Sequence, residues 1–182
     1  MRDVKLSSNQ KRTPKVDIRL DYENLHITLN RHRGWRPHAP QFYEAIEKAI
    51  ADLGPITDTT AYADWYRLEG PGKPDLARGL KWQLAYTRLG FQTRLLLNEP
   101  GLKDVDTQID EDINEQLRLA TLARLRMIVV LGASDGDYVR TVRRTYNYGQ
   151  RIVVLGIEGN ISRDLIREAG TRNIRYLDPY LC

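Results

Sequence analysis

Residues 127–132, MIVVLG, are apolar at every position, and RIVVLGI at 151–157 is apolar without a break after its opening arginine. A strand with one wet face alternates apolar and polar side chains, whereas a strand apolar throughout is covered on both faces, as at the centre of a parallel sheet. Two such strands need a crossover between them, and DYVRTVRRTYNY (137–148), with apolar residues at helical spacing and Gly149 as its stop, supplies one. The same alternation runs through the rest of the chain. VDIRLDY (16–22), ITDTTAYADWY (56–66), FQTRLLLN (91–98) and IRYLDP (174–179) read as strands. APQFYEAIEKAIADL (39–53), PDLARGLKWQLAYTRL (74–89), VDTQIDEDINEQLRLATLARL (105–125) and ISRDLIREAG (161–170) read as helices, the first two with proline in the opening turn. NRHRGWRP (30–37) is expected to be a basic loop and GPGK a breaker. The prediction is an α/β fold of three layers, with a mainly parallel sheet between helices.

The 182 residues contain no repeat or low-complexity block, so a basic tail over 1–15 and one domain over 16–182 are expected. No apolar run reaches membrane-spanning length, and the polar N-terminus lacks the apolar segment of a secretory signal. The one cysteine, Cys182, excludes a disulfide framework and a thiolate metal set, which suits a reducing, cytoplasmic setting. A net charge of +4 does not by itself establish a nucleic-acid partner.

Ligands of such folds collect at the carboxyl ends of the strands, near the point where strand order reverses. Asp21 ends the first strand, Asp106 opens the helix after the third, and Asp135 and Asp137 follow the fourth. If strands one and four are neighbours, four carboxylates meet at one edge of the sheet and repel, and a bound cation is the natural compensation. With no histidine or thiolate beside them, Mg²⁺ or Mn²⁺ suits the donors better than Zn²⁺. Each acid also has an ordinary reading: Asp106 and Asp137 as helix N-caps, Asp135 in an Asx-turn. Those readings are independent of one another, whereas a metal accounts for all four positions together. Helical spacing puts Asp110 on the face of Asp106 and Asp112 about 120° round, so geometry favours Asp110 as a further ligand. Glu111 and Glu115 are assigned to a solvated face. His26, His32 and His38 form no ligand pair and are expected on the surface or in loops.

LDYENL, KDVDTQIDEDI and VVLGASDGDYVRTV…GQRIVVLGI resemble, in order and spacing, the signature blocks of the NYN domain, the LabA-like branch of the PIN-like nucleases. The resemblance covers residues 16 to about 178. It implies a PIN-like Rossmannoid sheet of strand order 3-2-1-4-5, with room for a short sixth strand, and metal-dependent cleavage of RNA. The family's first-strand aspartate and following asparagine fall on Asp21 and Asn24. Its second block falls on Lys103, Asp106 and Asp112, and its third on Asp135 and Asp137, followed by an aromatic that is Tyr138. There are departures: Asp104 where glycine is usual, Ala133 and Ser134 where Ser-Gly is frequent, and Asp110 where a small apolar residue is common. Geometry prefers Asp110 and the family Asp112, which leaves that ligand open.

The reaction expected of such a site is phosphodiester hydrolysis assisted by one or two Mg²⁺ or Mn²⁺ ions. Asn24 would orient a carboxylate or the water, and Ser134 would bond to the metal shell or phosphate unless it only caps the helix. Lys103 would steady a phosphate unless nearby acids neutralise it. Arg31, Arg33 and Arg36, interleaved with Trp35, form a candidate backbone clamp with a stacking ring, and Arg140 and Arg144 share one face of the later helix. An ordinary solvated surface is the alternative for both clusters. RNA, in single strands or loops, is favoured through the resemblance alone. Tyr22 and Tyr138 are read as packing beside the site. Toprim-like and aspartyl-phosphatase sites fit less well, because the first strand ends in Asp21 with Glu23 two positions on. A degenerate domain that binds RNA or assembles without cutting is the competing class. Oligomeric state, a dimer included, is left open.

Overall fold

The computed structural model describes residues 13–34, 38–68, 74–96 and 104–181. Lys103, Trp35 and Arg36, residues 1–12 of the expected tail, the GPGK breaker, and the side chains of His32 and Arg33 lie outside the described residues. The strands are β1 (Lys15–Asp21), β2 (Ile56–Ala63), β3 (Gln92–Leu95), β4 (Met127–Gly132), β5 (Arg151–Gly156) and β6 (Ile174–Tyr176). The helices are α1 (Tyr22–Arg33), α2 (Ala39–Ala49), α3 (Leu76–Arg88), α4 (Val105–Leu122), α5 (Val139–Asn147) and α6 (Arg163–Ala169). All pairings are parallel, and the sheet order is β3-β2-β1-β4-β5-β6, the predicted order with its short sixth strand.

The sheet divides two cores. On one side Val16, Ile18 and Leu20 of β1 pack with Ile128, Val130, Val153 and Leu155 against α1–α3, through Leu25, Leu29, Phe42, Ile46 and Tyr86. On the other, Val129, Leu131, Ile152 and Val154 meet α4–α6. β4 and β5 are thus apolar on both faces, as their sequences demanded. β1 differs, because its second face carries Asp17, Arg19 and Asp21, all buried. Arg19 reaches Thr60 and pairs with Asp17 (2.9 Å) and Asp58 (2.8 Å), so a buried charge cluster replaces apolar packing there.

The first four residues of the expected basic loop, 30–33, are the last turn of α1. Asp21 caps α1 by accepting the Asn24 N–H, Leu25 and Leu29 supply its buried side, and Gly34 closes it in the left-handed conformation (φ 59°). Tyr22 stacks on Trp65 with centroids 5.1 Å apart and is fully buried, which pins the first turn. His26 sits in the same aromatic cluster, 2 % exposed, rather than on the surface. Among the described residues no helix is long and apolar enough to cross a membrane.

Candidate active site

β1 and β4 are neighbours, and the chain turns to opposite sides of the sheet from them, so the crevice above their carboxyl ends is the topological switch point. A cleft of about 240 Å³ opens there, lined by Asp21, Glu23, Asn24, Asp104, Val105, Asp106 and Asp135. Local chemistry brings each acid to it. Asp21 ends β1 as the cap of α1, and Asp104, not Asp106, caps α4 by accepting the Thr107 N–H at 2.8 Å. Asp135 caps a single 3-10 turn (Gly136–Tyr138) by accepting the Asp137 N–H at 3.3 Å, the Asx-turn expected of it. The two capping roles expected of Asp106 and Asp137 therefore fall one position outside each helical segment, and neither acid makes a cap bond. A Cβ on Gly132 at the end of β4 would stand 2.5 Å from the Leu20 side chain and 3.1 Å from that of Leu25, so a larger residue there would push on the packing between β1, β4 and α1.

Tyr138, expected to do no more than pack, holds the centre. Its hydroxyl is buried 2.6 Å from Asp106 Oδ1 and 3.0 Å from Asp21 Oδ2. A phenol has one proton to donate, so two ionised carboxylates cannot both be satisfied by it. The shorter contact takes the larger share of the tyrosine proton, which leaves the Asp21 oxygen at the longer one short of a donor. Burial pushes the Asp21 carboxyl up to about 7; the Asp106 and Glu23 charges add to this, while the Asn24 N–H and Tyr138 oppose it. Asp106 is also raised, by burial first and then by Asp104, Asp137 and Asp135. Asp104 is lowered by its bonds to Thr107.

Asn24 ties the two strand ends together. Its N–H donates to Asp21 at 2.9 Å, and its Oδ1 accepts the Ser134 N–H at 3.1 Å. Ser134 Oγ is buried with no hydrogen-bond partner among the described residues. The structure turns both candidates for the extra ligand away from the cleft. Asp110 accepts from Thr141 Oγ1 and Arg144, each at 2.6 Å, and Asp112 accepts from Tyr62 and Gln108. Asp110 does lie on the α4 face that leads from Asp106, but α5 occupies that direction. Arg144 is therefore committed to a side chain, while Arg140 is exposed. Arg31, also exposed, lies about ten residues along α1 from the cleft, roughly 15 Å at helical rise. Glu23 was missed as a lining residue. Its position in the first turn of a helix capped by a strand-end aspartate is the signal that could have placed it.

The donors are hard oxygens, which suits Mg²⁺ or Mn²⁺, and a cation would relieve the proton shortage around Tyr138. Among the described residues no group of three or more acidic, histidine or cysteine side chains already converges as a metal site. Asp21 and Asp106 form a pair, with Asp135 on the wall of the same cleft.

A parallel α/β sheet with acids gathered at its switch point places the chain among the open α/β folds that bind ligands at the carboxyl ends of their strands. Among these the chain belongs to the NYN domain family, whose model matches residues 15–175, and that family lies in the PIN-like nuclease superfamily. The structure is similar to the crystal structure of a protein of unknown function, VPA0982, from Vibrio parahaemolyticus RIMD 2210633. The TM-score is 0.68 at 21% identity, over 94% of this chain and 98% of that one. That likeness shows the fold. No curated protein matches the chain.

Proposed function

We propose that the protein is a metal-dependent ribonuclease that hydrolyses phosphodiester bonds of single-stranded or looped RNA in this cleft. The observation that carries the reading is the pair of buried carboxylates, Asp21 and Asp106, held on one tyrosine hydroxyl with Asp135 across the cleft. Packing carboxylates together costs stability unless a ligand compensates for it. Asp21, Asp106 and Asp135 would hold Mg²⁺ or Mn²⁺, with Asp137 beside them. A bound divalent cation would supply Lewis-acid polarisation of the phosphoryl group and a more acidic water. The chain's own contribution is positioning: Asn24 fixes Asp21 and the Ser134 backbone, and Tyr138 fixes Asp106. Ser134 Oγ, without a partner among the described residues, would bond to the metal shell or a phosphate oxygen once the loop opens to it. Lys103, Arg33 and Trp35 remain substrate-side candidates from the sequence.

The test is incubation of purified protein with end-labelled single-stranded RNA and Mn²⁺ or Mg²⁺. Cleavage is expected that EDTA stops and that both Asp135→Asn and Asp106→Asn abolish. Among the described residues no three carboxylates converge, which favours the second reading, an RNA-binding module that does not cut. RNA binding without cleavage under any divalent metal would establish it. Cleavage persisting in both variants would place the activity elsewhere.

A further inference from the structure

α5 and α6 carry five arginines, Arg140, Arg143, Arg144, Arg163 and Arg167. Three are committed: Arg143 to Glu168 (2.8 Å), Arg144 to Asp110 (2.6 Å) and Arg167 to Asp164 (2.9 Å). Arg140 and Arg163 are exposed, and neither has an ion pair with a described residue. These two are also the ones nearest the acidic loop. Arg140 is the second residue of α5, directly after the 3-10 turn that Asp135 caps. Arg163 opens α6 beside Ser162, whose N–H donates to the Ser134 carbonyl at 2.8 Å. Ser162 Oγ lies 3.1 Å from where a side chain on Gly136 would begin, so the start of α6 sits on the loop itself. The 3-10 turn packs against both helices.

Their placement is unfavourable for the free protein. The first turn of α5 presents the positive end of the helix dipole, where a cation is disfavoured. Asp164, next to Arg163 in sequence, is taken by Arg167. Guanidinium groups with no ion pair to a described residue at such a place are open to an anion, and their planar fork matches phosphate oxygens. From these positions we infer that RNA engaged in the cleft continues over residues 133–138 onto the first turns of α5 and α6. There Arg140 and Arg163 hold its backbone phosphates, independently of base sequence. The inference rests on the RNA substrate proposed above, assigns Arg163 a role, and directs the strand toward β5 rather than along α1 to Arg31.

The test is fluorescence anisotropy with a labelled single-stranded RNA in EDTA, over a salt series, so that no cleavage is needed for the readout. Arg140→Ala and Arg163→Ala are each expected to weaken binding several-fold and to reduce the slope of log affinity against log salt by about 0.7, the share of one phosphate contact on a single strand. Arg167→Ala, on the same helix but already paired, is the control and is expected to match wild type. Equal affinity and slope for all three variants and wild type would overturn the proposal, as would failure of wild type to bind RNA. A protein that binds in this pattern yet never cuts would overturn the nuclease reading and leave this one standing.

Discussion

Asp21→Asn offers the sharpest test of the cleft's electrostatics, because asparagine mimics the protonated carboxyl that the geometry calls for. Its Oδ1 can accept the Asn24 N–H, and its Nδ2 can donate to the Tyr138 oxygen, whose own proton then goes to Asp106. No hydrogen bond is lost. In wild type the carboxyl is 5 % exposed and its pKa is raised to about 7 in the folded state, against ~3.9 in an unfolded chain. Between those values the folded protein holds a proton that the unfolded chain has released, so rising pH favours unfolding. The stability in question is fully present below about pH 4 and is lost as pH rises to 7. From about pH 5 to pH 8 the imbalance lasts roughly two pH units at ~1.4 kcal/mol each, or about 3 kcal/mol. Asp17, raised to about 6 by burial, titrates in both proteins and cancels in the difference, whereas the coupling of Asp106 to the Asp21 charge is part of the difference measured. Urea denaturation in EDTA, followed by tryptophan fluorescence with buried Trp65 as a reporter, measures it. The variant should gain about 3 kcal/mol on wild type between about pH 5 and pH 8 and be the more stable protein at the upper end. A gap that does not change with pH, or a variant less stable at about pH 8, would refute the argument.

Tyr138→Phe keeps the ring but removes the hydroxyl that bonds to both Asp21 and Asp106, so Mn²⁺ affinity measured by calorimetry should fall about tenfold or more. An unchanged affinity would mean that the hydroxyl does not position the carboxylates. Arg19→Ala leaves Asp17 buried without its cation and should cost about 3–5 kcal/mol in urea unfolding, with partial recovery in the Arg19→Ala, Asp17→Asn double variant. A loss below about 1 kcal/mol would show that water satisfies Asp17 instead.

The sequence determined the scaffold and the addresses of the acids. MIVVLG is β4 to the residue, and the unbroken apolar runs of β4 and β5 required helices on both faces. Asp21 lay at a strand end by pattern alone, and the family blocks ordered the strands. Periodicity could do this because it reports how each segment is buried. It says nothing of which side chains meet across the fold. Residues 30–33 were read as the start of a basic loop because their charges and the following Gly34 hid the helix that Leu25 and Leu29 anchor, and as helix they carry Arg31 away from the cleft. Asp110 had the better helical angle, yet Thr141 and Arg144 of α5 claim it. Tyr138 reaches Asp106 and Asp21 across separations of 32 and 117 residues, and donor counting at that hydroxyl has no counterpart in the linear sequence. Local burial left its mark on each segment, whereas the sharing of one proton by two acids arose only when the packing of α4 and α5 on the sheet brought them together.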